Sequence, residues 1–259
     1  MIFDTLSHPT LTGKWIGRTQ VIPTFENLYH DLCYNNYKGA CAIGMAGIEN
    51  YSHENFIQAC NNYPTLVPIA GFGTQSIINH KEEIPYLSNL GYKGIKIHPR
   101  FSRVYPTTHF NHLVGTFKAA AAHNMVVYYC TYSHCVLKHY PSSEPLYDLI
   151  ALLKETPDTK IVLAHGGDVQ VLRYAELVRF NPNLLLDLSL TIMKYQGSSI
   201  DLDIRFLFQQ FDRRICVGTD FPEYTHKQLL TRFNAFSEGI SLEKQENIAS
   251  KNIMSFLTI

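Results

Sequence analysis

Apolar positions along this chain fall into two kinds of block that alternate from end to end. Short unbroken apolar runs recur. Between them lie longer stretches whose apolar residues return every three or four positions. The first kind suits strands buried on both faces, as in a parallel sheet covered by helices. The second suits helices with one apolar face. The clearest short run is Ile161-Val162-Leu163-Ala164, followed by His165-Gly166-Gly167. Its glycines end the strand and permit a tight turn, leaving His165 at the strand's carboxyl end. Parallel α/β folds keep their chemistry at that end.

The pattern predicts eight strands: Ile2–Leu6, Gly39–Met45, Leu66–Phe72, Gly94–His98, Met125–Tyr129, Ile161–Ala164, Leu184–Leu188 and Ile215–Gly218. Pro68 counts against a central hydrogen-bonded position for the third. Phe25, Leu28, Tyr29, Leu32 and Cys33 mark the first helix, with Thr24 as its N-cap. Ser52 caps the next, which carries Phe56, Ile57 and Cys60, and Gly91 stops the one after. Phe110, Leu113, Val114, Phe117, Ala120 and Ala121 form a strongly amphipathic helix. Later helices carry Leu146, Leu149, Ile150 and Leu153, then Val171, Leu172, Ala175 and Val178, then Ile200, Ile204, Leu207, Phe208 and Phe211. Ser241 caps the last, with Ile248, Ala249, Ile253 and Phe256. Eight β/α units in 259 residues predict a single α/β (β/α)8 TIM barrel, one domain over 1–259. The aperiodic stretch from Thr10 to Pro23, with Trp15 and Arg18, reads as a long loop over the active face.

Composition narrows the class. With 46% hydrophobic and 17% charged residues the chain can cover a large core. Lys+Arg and Asp+Glu balance at 22 each, so there is no electrostatic footprint for nucleic acid or an anionic membrane. The amino terminus carries neither a charged n-region nor an apolar h-region, and no apolar run is long enough to span a bilayer. Six scattered cysteines do not make a disulfide framework. The expectation is a soluble cytoplasmic protein acting on a small molecule.

Strand ends of a barrel share one bowl, which would bring together His8, Lys96, His98, Cys130, His165, Asp187 and Asp220. A histidine and a carboxylate in one cleft can exchange protons near neutral pH. A histidine, a thiolate and a carboxylate can also hold zinc. Arg100 and Arg103, after the fourth strand, read either as a solvated basic surface or as a clamp for a carboxylate or phosphate. Tyr128 and Tyr129 face opposite sides of the fifth strand, and Tyr128 is the candidate substrate contact.

Three motifs carry a resemblance. Gly94-Ile95-Lys96-Ile97-His98-Pro99, Ile161-Val162-Leu163-Ala164-His165-Gly166-Gly167 and Gly218-Thr219-Asp220-Phe221-Pro222 resemble the fourth-, sixth- and eighth-strand motifs of the amidohydrolase-related family. Asn247-Ile248 with Lys251-Asn252-Ile253 resembles its closing helix. The resemblance implies a barrel hydrolase, or a non-oxidative decarboxylase of aromatic or unsaturated acids, and often a homodimer. If a metal is bound, it implies ligands at His8 and Asp220, with Cys130 as a substitute ligand and His165 as either a ligand or a proton-transfer group. Two positions depart from the family pattern. Its first strand ends Asp-x-His-x-His, whereas this chain has Asp4-Thr5-Leu6-Ser7-His8. Cys130 stands where the fifth strand usually ends in histidine. The expectation is a site without a cofactor, the alternative being one divalent metal, zinc.

The leading expectation is hydrolysis of a small polar or carboxylated compound, at a lactone, ester or amide bond. Asp220 would be the general base and His165 the acid or electrophile. Lys96 and His98 would polarise the carbonyl, while Arg100 and Arg103 would hold a carboxylate. The alternatives are a metal-assisted decarboxylase in which His165 protonates carbon, and a barrel that binds without catalysis. A nucleic-acid enzyme has the least support, given the charge balance.

Overall fold

The computed structural model describes residues 1–17, 19, 21–132 and 143–259. Arg18 and most of the loop after Tyr132 lie outside the described residues. Eight parallel strands follow one another in chain order: β1 (Phe3–Ser7), β2 (Gly39–Ile43), β3 (Leu66–Phe72), β4 (Gly94–Ile97), β5 (Val126–Cys130), β6 (Ile161–Ala164), β7 (Leu184–Asp187) and β8 (Ile215–Cys216). The ring closes between its ends. Thr5 N–H donates to the Val217 carbonyl at 3.2 Å, Asp220 N–H to Leu6 at 2.9 Å, and His8 N–H to Phe221 at 2.7 Å. The expected (β/α)8 barrel is therefore the fold.

Strand pleating sorts the side chains. Ile95 and Ile97, Val127 and Tyr129, and Ile161 and Leu163 pack outward under the helices. Cys41, Ile43, Ile69, Val126, Tyr128, Val162, Ala164 and Leu185 fill the interior. Two apolar layers on one sheet explain why the strands read as continuous apolar runs.

Local signals held where the chemistry is local. Thr24, Ser52 and Ser241 each accept the expected N-terminal backbone N–H. Gly91 ends its helix with φ +102°. Pro68 lies inside β3 after all, paired with Ala42, and its carbonyl accepts from Lys93 N–H at 3.0 Å. A proline costs the ladder one donor only, and neighbouring bonds hold this seven-residue strand in place. β8 is shorter than expected because the chain turns at Gly218. A Cβ there would stand 2.7 Å from Thr5 Oγ1 and 2.8 Å from Asp4 Oδ1, so a glycine lets β8 close against β1.

Asp4 is wholly buried and ties that closure together. Its carboxylate accepts from Leu6 N–H, the Ser7 hydroxyl, and Thr219 N–H and hydroxyl. It also lies 3.0 Å from Nε2 of His226. The five described cysteines are unpaired thiols. Among the described residues no helix is long and apolar enough to cross a membrane.

Candidate active site

A bowl of about 350 Å³ opens at the carboxyl ends of the strands, and His8, His98, Arg100, His165 and Asp220 all line it. Asp220 follows β8 with its backbone in the left-handed region, φ +57°. His165 follows β6 in the same region at φ +68°, and Gly166, Gly167 and Asp168 continue with positive φ. Such backbone is costly for residues with side chains and recurs at functional sites. The turn aims the imidazole into the bowl rather than across the sheet. Gly167 is required there, since a Cβ would lie 2.0 Å from the Tyr174 ring.

The tautomers follow from obligate acceptors. Nδ1 of His8 lies 2.9 Å from the Ile43 carbonyl, so Nδ1 carries the proton and Nε2 keeps its lone pair. That Nε2 stands 3.6 Å from Asp220 Oδ1. Nδ1 of His165 likewise donates to the Ser189 carbonyl at 3.2 Å, leaving its Nε2 bare. His98 is the opposite case. Its Nδ1 accepts from Phe101 N–H at 3.4 Å, so Nε2–H points at Cys130 Sγ, 3.6 Å away.

Burial and the Lys96 charge lower the His8 pKa to about 3. The same two causes hold His98 and His165 well below the usual histidine range. Burial raises Asp220 to about 7, against the opposing pull of Lys96. The bowl at neutral pH thus contains neutral imidazoles beside a carboxyl group poised to ionise.

Asp187 does not reach the bowl. Wholly buried, it accepts from the Thr5 hydroxyl at 2.5 Å, Ser189 N–H at 3.2 Å and the Ser189 hydroxyl. It also accepts from the backbone N–H of His165 at 3.5 Å. It therefore positions His165 through the turn and Ser189.

Four expected site residues lie elsewhere. Tyr128 points into the barrel beneath the bowl, wholly buried, with its hydroxyl 3.1 Å from Cys41 Sγ. The pleat that puts Tyr128 inside also sinks it too deep for a substrate. Lys96 is 2% exposed and does not line the bowl. Cys130 is 3% exposed, and burial pushes its thiol up. Arg103 caps the short helix Pro99–Ser102 in left-handed backbone, exposed and away from the bowl. Arg100 alone of the expected clamp lines it.

Of the other lining residues, Trp15 was expected in the loop over this face, whereas Tyr132, Lys194 and Glu223 were not foreseen. Trp15, in the first loop, stacks on His8 with 5.5 Å between ring centres and donates its indole N–H to Glu223 Oε1 at 2.8 Å. Lys194 donates to the Tyr132 hydroxyl at 2.6 Å, while the Arg100 guanidinium sits 4.8 Å from the Tyr132 ring centre. Glu223 and Tyr132 lie close in sequence to Asp220 and Cys130, which is a weak signal. Lys194 follows β7 with no motif around it.

The donors do not suit the metal implied by the resemblance. Leu6 is wholly buried and apolar where a first ligand would stand. Cys130 faces the N–H of His98. Among the described residues, no three His, Cys, Asp or Glu side chains are arranged to hold a metal ion.

A family model described as Amidohydrolase matches residues 45–258. No curated protein matches the chain. Solved structures of similar fold include an uncharacterised TIM-barrel protein of Bordetella bronchiseptica (13% identity, TM-score 0.79, 99% of this chain and 98% of that one). Another is a probable 2-pyrone-4,6-dicarboxylic acid hydrolase of Acinetobacter baumannii with citric acid bound (16%, TM-score 0.69, 100% and 99%). A third is 5-carboxyvanillate decarboxylase of Sphingomonas paucimobilis (13%, TM-score 0.72, 100% and 99%). At these identities the likeness is one of fold.

Proposed function

The chain belongs to the amidohydrolase family, and on that premise we propose that it hydrolyses a lactone, ester or amide bond in a small polar or carboxylated substrate. One observation carries this reading. With Asp220 ionised, His8 Nε2 and Asp220 Oδ1 are both acceptors, and they converge to 3.6 Å. Two acceptors so placed call for a donor between them, and a water molecule has two hydrogens to give. Asp220 is the general base, because its pKa of about 7 matches a proton transfer near neutrality. His8, fixed by Ile43 and covered by Trp15, orients the same water.

In the reaction Asp220 takes a proton from the water as its oxygen bonds to the substrate carbonyl carbon. The negative charge on the resulting oxyanion is offset by the Lys96 charge below. The bond to the leaving oxygen or nitrogen then breaks, and that atom takes the proton back, which restores the carboxylate. His165 enters differently from the sequence expectation. Its bare Nε2 cannot donate to a carbonyl, so it accepts from substrate and relays a proton only after receiving one. Arg100 and Lys194 on the rim suit a substrate carboxylate.

Decarboxylation would need His165 to deliver a proton to carbon, and its protonated nitrogen is committed to Ser189. A barrel without catalysis is disfavoured because His165 and Asp220 face one open bowl. The test is a panel of lactones, esters and amides with Asp220→Asn and His8→Gln. A loss of on the order of 10³-fold in kcat for Asp220→Asn is expected. Unchanged turnover in both variants on a verified substrate would sink the reading.

A further inference from the structure

A second hollow opens where the strands begin, on the face opposite the bowl. It measures about 450 Å³, and Lys160, Arg213, Arg214 and Lys251 line it. Glu243 is the one carboxylate lining it among the described residues. Lys+Arg and Asp+Glu balance at 22 each over the whole chain, so this is a local concentration of positive charge. Lys160 immediately precedes β6 and Arg214 immediately precedes β8, so the two stand on either side of the start of β7. Their backbones belong to the barrel. The Lys160 carbonyl accepts from Val127 N–H and the Arg214 carbonyl from Leu186 N–H, both at 2.9 Å. The roots of the two cations are therefore set by the sheet rather than by a loop.

The four cations differ in what they already hold. Arg213 pairs with Glu243 at 3.3 Å, and Lys251 pairs with Glu246 at 2.5 Å. Lys160 Nζ donates to the Phe256 carbonyl at 3.1 Å, and Arg214 Nη1 donates to the Pro182 carbonyl at 3.5 Å. Neither of these two meets a carboxylate among the described residues. Each spends one donor on a neutral acceptor and keeps the rest. The wall beside them is apolar. Leu184 and Leu185 are buried there, and the Phe256 ring centre lies 5.7 Å from Lys160 Nζ.

We propose that this hollow binds a small organic phosphate, its phosphate held by Lys160 and Arg214 and its carbon skeleton laid on Leu184, Leu185 and Phe256. A phosphate has enough acceptor oxygens to take donors from two cations at once, and the planar fork of arginine matches it. The hollow falls in the size range of small-molecule sites, and its apolar wall gives a bare phosphate nothing to touch. Glu243 competes with the ligand for Arg213 at the rim. The site lies at the other end of the barrel from Asp220, so it stands independently of the hydrolytic reading and is tested without turnover.

The experiment is calorimetric titration of the purified full chain with phenyl phosphate, with inorganic phosphate and phenol as comparison probes. The wild type should bind phenyl phosphate about tenfold more tightly than either comparison probe, or better. Lys160→Met with Arg214→Met should weaken that binding about tenfold or more. Glu243→Gln should tighten it about threefold, a gain that a misfolded variant would not give. Arg100→Met with Lys194→Met changes the rim of the bowl and should leave the affinity as it is. The proposal is overturned if the wild type does not bind phenyl phosphate, or if the Lys160 and Arg214 double variant binds it as well as the wild type. It is equally overturned if the bowl variant is the one that abolishes binding. Sedimentation with phosphatidic acid vesicles, lost in the Lys160 and Arg214 double variant, without any binding of phenyl phosphate would make this face a membrane surface instead.

Discussion

His226 Nε2 lies 3.0 Å from Asp4 Oδ2, and both side chains are wholly buried. On its other side, Nδ1 of His226 lies 2.6 Å from Asp31 Oδ2. Burial alone would lower this histidine, but the two carboxylates outweigh it and raise its pKa to about 9. The imidazolium joins β1 to the helix Phe25–Tyr34 and begins the helix His226–Ser237. A pKa raised above the unfolded value of about 6.5 stabilises the fold fully below that pH. The contribution then disappears as pH rises through about 9. His226→Gln should cost roughly 3 kcal/mol at pH 6, because two buried carboxylates lose their cation. Urea unfolding at pH 6 and pH 9.5 should show the gap from the wild type narrowing at the higher pH.

Asp220 has the opposite linkage. Its folded pKa of about 7 lies above the usual carboxyl value. Its charge therefore costs nothing below pH 4, and the cost builds as pH rises from 4 to 7. Asp220→Asn should match the wild type in stability at pH 4 and exceed it at pH 8.5, by at most about 4 kcal/mol. The same ionisation should give kcat/KM a rising limb centred near pH 7. A flat profile between pH 5 and 9 would exclude Asp220 as the base.

Arg100 and Lys194 flank Tyr132 at the mouth of the bowl. Replacing each by Met should raise KM for carboxylated substrates about tenfold or more while barely changing KM for neutral ones. Equal effects on both classes would remove these residues from substrate recognition.

Gly167→Ala tests the turn that aims His165. The position has φ +79°, and an added methyl would collide with Tyr174. The variant should lose more than about 3 kcal/mol of stability, measured by chemical denaturation.

The barrel was legible because each strand is a short apolar run and each helix has a 3.6-residue period. Both are local properties, and Thr24, Ser52 and Ser241 are local too. Depth was not legible. Alternation tells which face a strand residue takes, and it correctly separated Tyr128 from Tyr129. It does not tell how far down the barrel that residue sits, so Tyr128, Lys96 and Cys130 were expected in a bowl they lie beneath. The rim comes from loops and from the four-residue helix Thr191–Lys194, all too short or irregular to show a period, which hid Lys194 and Glu223. The pairing of His226 with Asp4 and Asp31 joins residues near opposite ends of the chain, and no spacing rule announces it. The role of His165 turned on a single carbonyl, that of Ser189, which decides its tautomer.

The ring closes between β1 and the turn after β8, and His8 and Asp220 stand on either side of that seam. The proposed pair is thus split between the turn after the first strand made and the turn after the last. During synthesis seven strands can emerge and pack before Asp220 leaves the ribosome, so the proposed site is assembled in one step, when the circle is completed. In refolding, recovery of turnover becomes a clock for that final docking, while helical signal reports on everything that precedes it. A partly folded chain exposes no half of the proposed site that could act alone, because His8 and Asp220 meet only across the closed seam.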